Sequence, residues 1–203
     1  MRSRTISYLK WGNILVLALV FAISINIFLV QPYIVSGSSM EPTLAGEDFL
    51  ETDKVGDRIL VFKSAYILGN VPEYGEMVII DSRVDHTRTI KDQLLDSPIL
   101  SFFSNSRNKG NIWIKRVIGE AGDTIEFKDG SIYRNGDILM EDYIKEEMLV
   151  ENEKFVIPKE HVFVMGDNRN NSSDSREIGP VPIENVVGKV ILRFYPFERI
   201  GIL

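Results

Sequence analysis

The chain has 203 residues, a hydrophobic content of 44%, no cysteine and two histidines. The lack of cysteine excludes a disulfide framework, thiolate metal sites and a cysteine nucleophile, and two histidines are too few for a histidine-rich metal site. The formal net charge is −6, and Arg2, Arg4 and Lys10 are the only charged residues before Glu41, so the rest of the chain is strongly acidic. Such a body repels phosphate backbones, and the sequence therefore predicts no nucleic-acid partner.

The N-terminal segment predicts a membrane anchor. Residues 11–40 contain no Asp, Glu, Lys, Arg or His, and residues 14–30 are almost wholly apolar. A helix over 11–30 spans about 30 Å, the thickness of a hydrocarbon core. A cleaved signal peptide is the alternative, but the apolar run is long for that role and no Ala-x-Ala follows it. With basic residues before the span and acidic residues after it, we expect residues 1–10 in the cytoplasm, 11–30 in the lipid bilayer of the cell membrane, and 31–203 outside.

The remaining chain predicts a mainly β, antiparallel catalytic domain. Asp129-Gly130 and Asn135-Gly136 are typical of two-residue hairpin turns. Apolar or alternating runs between turn residues predict strands over 77–80, 112–118, 124–128, 131–134, 138–140, 155–157, 161–165 and 186–195. The polar insertion at 82–111 predicts a surface helix packed on the sheet. The alternative is a helix that contacts lipid through Phe102 and Phe103.

A serine-rich segment follows the predicted span and reads Ser-Gly-Ser-Ser-Met-Glu-Pro-Thr-Leu over 36–44. A flexible linker would stay polar, whereas Met40, Pro42 and Leu44 are residues that pack. Ser39 becomes a nucleophile if a base lies nearby and its own backbone N–H points at the substrate carbonyl. Taken alone, the segment fits either a linker or a nucleophile.

The predicted strand at 112–118 carries a lysine among apolar residues. Strand alternation places Lys115 on the same face as Trp113 and Val117. Burial disfavours an ammonium ion, so we expect the pKa of Lys115 to fall from about 10.4 toward about 7–8, where a neutral amine acts as a general base. The alternative, which this segment alone favours, is an edge strand from which Lys115 extends to water.

A dense polar loop follows the predicted strand at 161–165 and reads Gly-Asp-Asn-Arg-Asn-Asn-Ser-Ser-Asp-Ser-Arg over 166–176. Turns built on Asn and Asp side chains would account for such a loop. Calcium is an alternative, but the loop lacks the alternating acidic ligands and the bidentate Glu of a calcium-binding loop. The sequence therefore predicts no metal.

Taken in order, these segments resemble the sequence boxes of the bacterial type I signal (leader) peptidases. The matching residues are Ser39-Met40-x-Pro42-Thr43-Leu44, Tyr74-Gly75-Glu76-Met77-Val78, Lys115-Arg116 followed by Gly119 and Gly122-Asp123, and Gly166-Asp167-Asn168-Arg169 followed by Ser172, Asp174, Ser175 and Arg176. The order and the spacing match from about Val35 to Gly188. Four boxes in order, behind one N-terminal span, are a specific combination.

The resemblance implies a membrane-anchored serine endopeptidase that uses a Ser–Lys dyad and needs no cofactor. Ser39 would be the nucleophile and Lys115 the general base. Ser172 would orient the lysine amine, and Asp174 and Arg176 would brace the loop by an ion pair.

The resemblance also implies the residues that surround the reacting carbonyl. Gly37 and Ser38 would support the oxyanion together with the backbone N–H of Ser39. Some relatives place a serine hydroxyl where this chain has Gly37, so a backbone donor is expected here instead. Met40 would contact the substrate.

Enzymes that are similar in these boxes cut secretory preproteins after small residues in an Ala-x-Ala pattern, so the implied partners are preproteins and the bilayer. One alternative keeps the chemistry and serves a single cognate substrate, as in a specialised maturation peptidase. Another is a membrane-tethered β scaffold without activity. A Ser–His–Asp triad that includes His161 has no matching box.

Overall fold

The computed structural model describes residues 2–47, 55–67, 69–89, 91–92, 111–144, 146 and 148–203. Helix α1 runs Arg2–Phe28, so it begins earlier than the predicted span and ends before Val30, where the first strand begins. The large apolar side chains between Trp11 and Phe21 are exposed. Within the part of the chain that the structure describes, we find no helix that combines the length and the apolar character required to cross a membrane.

The strands form two antiparallel sheets. The larger sheet contains β1 (Val30–Ile34), β2 (Arg58–Phe62), β3 (Met77–Asp81), β4 (Ile112–Gly119), β9 (His161–Met165), β10 (Val181–Pro182), β11 (Val186–Tyr195) and β12 (Gly201–Ile202). The smaller sheet contains β5 (Thr124–Lys128), β6 (Ser131–Arg134), β7 (Asp137–Ile138) and β8 (Glu153–Val156). Their orders are β1-β2-β11-β3-β4-β9-β10, with β12 paired to β11, and β7-β6-β5-β8.

Short helical turns connect some of these strands. Helix α2 (Ser64–Ile67) follows β2, and helix α3 (Ser175–Ile178) follows the polar loop after β9. Two 3₁₀ turns, Ile183–Asn185 and Phe197–Arg199, flank β11.

The mainly β, antiparallel fold class is confirmed, and the boundaries differ in detail. The strand predicted at 138–140 is only the two-residue β7, and the one predicted at 155–157 is β8, which ends at Val156. Asp129 and Asn135 both have a positive φ, as the predicted hairpin turns require. Strand β1 was not predicted from the sequence. It contains a proline, which is tolerated because β1 is an edge strand of the larger sheet.

The helix predicted within the insertion at 82–111 falls mostly outside the described residues, as do Phe102 and Phe103. The start of the insertion is described and contacts the 3₁₀ turn before β11 and the last residue of the insertion. There, the Arg88 N–H donates to Asn185 Oδ1 at 3.0 Å, and the Ser82 N–H donates to the Asn111 carbonyl at 2.8 Å.

Strand β4 contributes to three clusters of buried apolar side chains. Ile118 packs with Phe127 and Phe163 between the two sheets, and Val117 packs on the opposite face with Val164. Ile114 lies against a third cluster beneath β1, β2 and β11. Each large apolar side chain that is fully buried contributes roughly 1.5–3 kcal/mol, so β4 is held firmly from both faces.

The chain between β1 and β2 closes on itself at two glycines. The Glu47 N–H donates to the Val35 carbonyl at 2.9 Å, and the Gly37 N–H donates to the Glu47 carbonyl at 3.2 Å. A Cβ on Gly46 would lie 1.8 Å from the Gly37 carbonyl oxygen, and one on Gly56 would lie 2.4 Å from the Val35 carbonyl oxygen. Only glycine fits at these positions, and the close approach fixes the serine-rich segment that begins here.

We expect Gly46→Ala to destabilise the protein by about 1–3 kcal/mol or more, because the obstructing atoms belong to the backbone and cannot rotate away. The measurement is urea unfolding of the full-length chain in detergent. Gly201→Ala is the control, since nothing lies within 4 Å of a Cβ there. Equal stability of Gly46→Ala and Gly201→Ala would contradict the tight closure.

Candidate active site

A cleft with a volume of ≈ 500 Å³ opens where the loop after β9 meets the serine-rich segment. It therefore brings together two segments that are far apart in the sequence. Its lining residues are Gly37, Ser38, Ser39, Asn170, Asn171, Ser172, Ser173 and Glu177.

Lys115 reaches this site from an interior strand. β4 pairs with β3 on one side, where Lys115 lies opposite Val78, and with β9 on the other. The residue is only 3% exposed, which excludes the edge-strand alternative. Its Nζ donates to Ser172 Oγ at 3.1 Å and lies 5.5 Å from the centre of the Trp113 ring.

Burial lowers the pKa of Lys115 from its ordinary value of 10.5 to about 8. The opposing influence is the carboxylate of Asp174, which favours the charged amine and recovers only part of the lost hydration. The predicted lowering of the pKa is thus confirmed in direction and in cause. A pKa near 8 leaves about one amine in ten neutral at pH 7, a usable population for a general base.

Ser172 lies between the lysine and a buried carboxylate. Its hydroxyl accepts from Lys115 and donates to Asp174 Oδ2 at 2.9 Å. Asp174 is fully buried, and Arg176 Nε donates to its Oδ1 at 2.8 Å. The predicted ion pair between Asp174 and Arg176 is therefore confirmed. This arrangement directs the single hydroxyl proton of Ser172 at Asp174, so the lone pairs of the Ser172 oxygen face the amine of Lys115.

The polar loop also holds the backbone of the serine-rich segment. The Asn168 N–H donates to the Ser39 carbonyl at 3.0 Å, and Asn168 Nδ2 donates to the Ser38 carbonyl at 3.2 Å. Asn171 Nδ2 donates to Ser38 Oγ at 2.7 Å. These contacts fix the two serines against the loop that carries Ser172.

Gly166 allows the closest approach between the two segments. A Cβ at this position would lie 2.3 Å from Ser172 Oγ and 2.4 Å from the Ser39 carbonyl oxygen. Ser39 is thus adjacent to the pair formed by Lys115 and Ser172. Among the hydrogen bonds of the described residues, none joins Ser39 Oγ directly to Lys115 Nζ.

The backbone donors near Ser39 differ from the expectation at one position. The Gly37 N–H donates to the Glu47 carbonyl and is therefore committed to closing the loop between β1 and β2. The predicted oxyanion role of the Gly37 N–H is corrected for this reason. Within the described part of the chain, the N–H groups of Ser38 and Ser39 have no protein acceptor, and these two remain as candidate oxyanion donors.

Two other expectations also change. Met40 is fully buried in the cluster with Val35 and Leu44, so its position fits packing and does not support the predicted contact with substrate. His161 lies at the start of β9, where its Nδ1 contacts the Lys159 carbonyl, and it does not line the cleft. The triad alternative therefore has no geometric support.

An ion pair that was not predicted from the sequence joins the second residues of two boxes. Arg116 Nε and Nη2 donate to the two carboxylate oxygens of Asp167 at 2.8 and 2.7 Å. Thr43 Oγ1 donates to the same carboxylate at 2.5 Å. Asp167 is buried, and its contacts join β4, the polar loop and the serine-rich segment at one point. The sequence feature that could have indicated this pair is the position of Arg116, which lies on the opposite face of β4 from Lys115.

Known proteins are similar to this chain over most of its length. Residues 8–195 match the sequence model of the family described as signal peptidase, peptidase S26. A probable signal peptidase I-2 of Synechocystis sp. is 34% identical over 97% of this chain and 78% of the relative. Signal peptidase I T of Bacillus subtilis is 31% identical over 98% of this chain and 91% of the relative.

A crystal structure of a signal peptidase I from Enterococcus faecalis V583 is 26% identical, with a TM-score of 0.42, and the match covers 58% of this chain and 95% of that one. The family match and the two relatives extend over nearly the whole sequence, including every segment that forms the cleft. The chain therefore belongs to the signal peptidase family, peptidase S26, and is a serine endopeptidase of the signal peptidase I type.

Proposed function

We propose that this peptidase removes signal peptides from secretory preproteins with Ser39 as nucleophile and Lys115 as general base. The observation that carries the proposal is the buried amine of Lys115, which is hydrogen-bonded to Ser172 at the edge of the cleft that Ser39 lines. A buried amine with a lowered pKa is the form of lysine that accepts a proton near neutral pH.

The proposed reaction proceeds through an acyl-enzyme. Neutral Lys115 takes the hydroxyl proton of Ser39 as Oγ attacks the scissile carbonyl, and the N–H groups of Ser38 and Ser39 bind the oxyanion. The Lys115 ammonium then protonates the departing amine. The neutral amine next takes a proton from water as the water attacks the acyl-enzyme, and the Lys115 ammonium returns this proton to Ser39 Oγ as the acyl group departs. Rotation of Ser39 about χ1 closes the contact with Nζ when substrate binds, since catalytic hydrogen bonds often tighten only in the complex.

We propose that cleavage follows small residues in the Ala-x-Ala pattern. The pattern is that of the enzymes whose boxes this chain resembles. The serine side of the cleft consists of Gly37, Ser38 and Ser39, whose small side chains let a substrate backbone approach the nucleophile closely. The specialised maturation peptidase uses the same chemistry on one cognate substrate, and the range of cleaved preproteins separates the two.

We further propose that the N-terminal segment anchors the enzyme in the membrane, with its N-terminus in the cytoplasm. The proposal is supported by the uncharged stretch at 11–40 and by the exposed apolar side chains between Trp11 and Phe21 on α1. Removing such surface from water is favourable by roughly 25 cal/mol per Å². β1 follows α1 directly and leads to Ser39, so an anchored α1 would hold the cleft close to the membrane surface.

We expect Ser39→Ala and Lys115→Ala each to reduce cleavage by about 10⁴-fold or more, because the nucleophile and its base act as one unit. The assay is processing of several unrelated preproteins with Ala-x-Ala sites by the full-length enzyme in detergent. Ser131→Ala and Lys128→Ala on the smaller sheet are the matched controls. Substantial activity in either dyad variant would remove the proposed mechanism, and cleavage of a single preprotein would favour the specialised peptidase.

The rate should rise with pH through an apparent pKa near 8, because only the neutral amine of Lys115 accepts the proton from Ser39. Initial rates of peptide cleavage between about pH 6 and pH 10 measure this limb. Lys115→Arg should not rescue activity, since a guanidinium remains charged throughout this range. A rate that is highest at acidic pH would be incompatible with a neutral lysine base.

Lys115→Met should stabilise the fold at neutral pH while abolishing activity. The folded pKa lies below the ordinary value, so the unfolded chain binds more protons between about pH 8 and pH 10.5, and wild-type stability rises with pH across this window. Below this window the full penalty applies, so we expect Lys115→Met to gain about 3 kcal/mol at pH 7, and this gain should fade above pH 10. Urea unfolding at both pH values measures the difference, and a pH-independent difference would disprove the link to ionisation.

A further inference from the structure

A buried ion pair links the smaller sheet to the polar loop of the site. Arg169 Nη1 and Nη2 each donate to one carboxylate oxygen of Glu141 at 2.7 Å, and the two side chains are 2% and 3% exposed. Glu141 follows β7, and Tyr143 donates its hydroxyl proton to the same carboxylate. The sequence boxes contain Arg169 but not Glu141, and neither residue has a role in the mechanism above.

Arg169 is the central contact within the loop. Its Nε donates to the Gly166 carbonyl at 3.1 Å, and its own carbonyl accepts from Arg176 Nη2 at 2.6 Å. Arg176 binds Asp174, which accepts the hydroxyl proton of Ser172. A continuous series of direct contacts thus leads from the ion pair to the serine that orients the lysine amine.

The energetics of this pair favour a geometric role. Removing two charges from water costs several kcal/mol per ion, and their attraction only offsets this, so a buried pair is weak evidence for added stability. A bidentate contact instead fixes the plane of the guanidinium, because both N–H groups must point at the carboxylate. Fixing this plane also fixes Nε and therefore the Gly166 carbonyl, at the point where the loop packs on Ser39.

We propose that Glu141 is a positioning residue for the dyad: through Arg169 it holds the 166–176 loop in the conformation in which Ser172 orients the amine of Lys115. The inference rests on the proposed function of Ser39 and Lys115. Glu141 is not among the residues that line the cleft, so its effect is on the rate of the chemical step and not on substrate binding.

Glu141→Gln tests the proposal, because it keeps the shape of the side chain and removes its charge. We expect kcat for preprotein cleavage to fall by about 10- to 100-fold with little change in KM, which is the size of effect that a displacement of about 1 Å produces. Asp81→Asn is the matched control. Asp81 is also a buried carboxylate that binds two arginines, Arg83 at 2.5 Å and Arg88 at 3.3 Å, but it lies at the end of β3, away from the loop.

Asp81→Asn should lower the midpoint temperature of thermal unfolding at least as much as Glu141→Gln does. It should nevertheless keep the wild-type kcat when kcat is measured at a temperature well below the midpoints of both variants. A wild-type kcat in Glu141→Gln, or an equal loss of kcat in Asp81→Asn, would overturn the proposal. If Glu141→Gln does not fold, Arg169→Lys replaces it, since the charge remains and the bidentate contact is lost. It should show the same fall in kcat, and a wild-type kcat would again overturn the proposal.

Ser39→Ala is assayed in parallel, so that a failure of the proposed function can be distinguished from a failure of the positioning role of Glu141. Activity in Ser39→Ala would overturn the proposed function itself. An inactive Ser39→Ala together with a fully active Glu141→Gln would overturn only the positioning role of Glu141.

Discussion

The removal of one lysine amine from water is the constraint on which the site depends. Burial destabilises the charged form of Lys115, and the neighbouring Asp174 carboxylate offsets only part of that penalty. A lysine in this state weakens the fold near neutral pH by about 3 kcal/mol, which is a large fraction of the stability of an ordinary domain. Other contacts in the surrounding structure must therefore hold the amine in place.

Those contacts come from pairs of arginine and carboxylate groups around the polar loop. The loop at 166–176 has little regular secondary structure, and apolar packing alone would not fix the direction of each polar group. Bidentate and charge-assisted hydrogen bonds are directional, and the pairs Arg116–Asp167, Arg176–Asp174 and Arg169–Glu141 anchor the start, the end and the middle of the loop. As a result, the polar groups of this loop are held in directions that are as well defined as those in a β-strand.

The sequence predicted the parts of the structure that depend on local signals. Asn135-Gly136 forms its hairpin turn because only a few residues accept a positive φ. The motifs also nominated Ser39, Lys115 and Ser172; Ser39 and Ser172 line one cleft, and Lys115 is hydrogen-bonded to Ser172. The partners of Gly37 and Arg169 could not be predicted, because Glu47 and Glu141 meet them only through the tertiary fold. The pattern of apolar residues in the sequence also could not show whether Met40 packs in the core or contacts the substrate.

The two members of the proposed dyad are held in opposite ways, and this difference suits the reaction. Lys115 extends from an interior strand that pairs on both sides, so its backbone cannot shift to return the amine to water. Ser39 lies in a segment whose backbone is fixed by Asn168 while its hydroxyl has no bond to the lysine among the described residues. In the proposed mechanism the base is therefore stationary, and a rotation of the Ser39 side chain brings its hydroxyl to the amine. Side-chain rotations of this kind take place in picoseconds to nanoseconds, which is far faster than a typical enzymatic turnover.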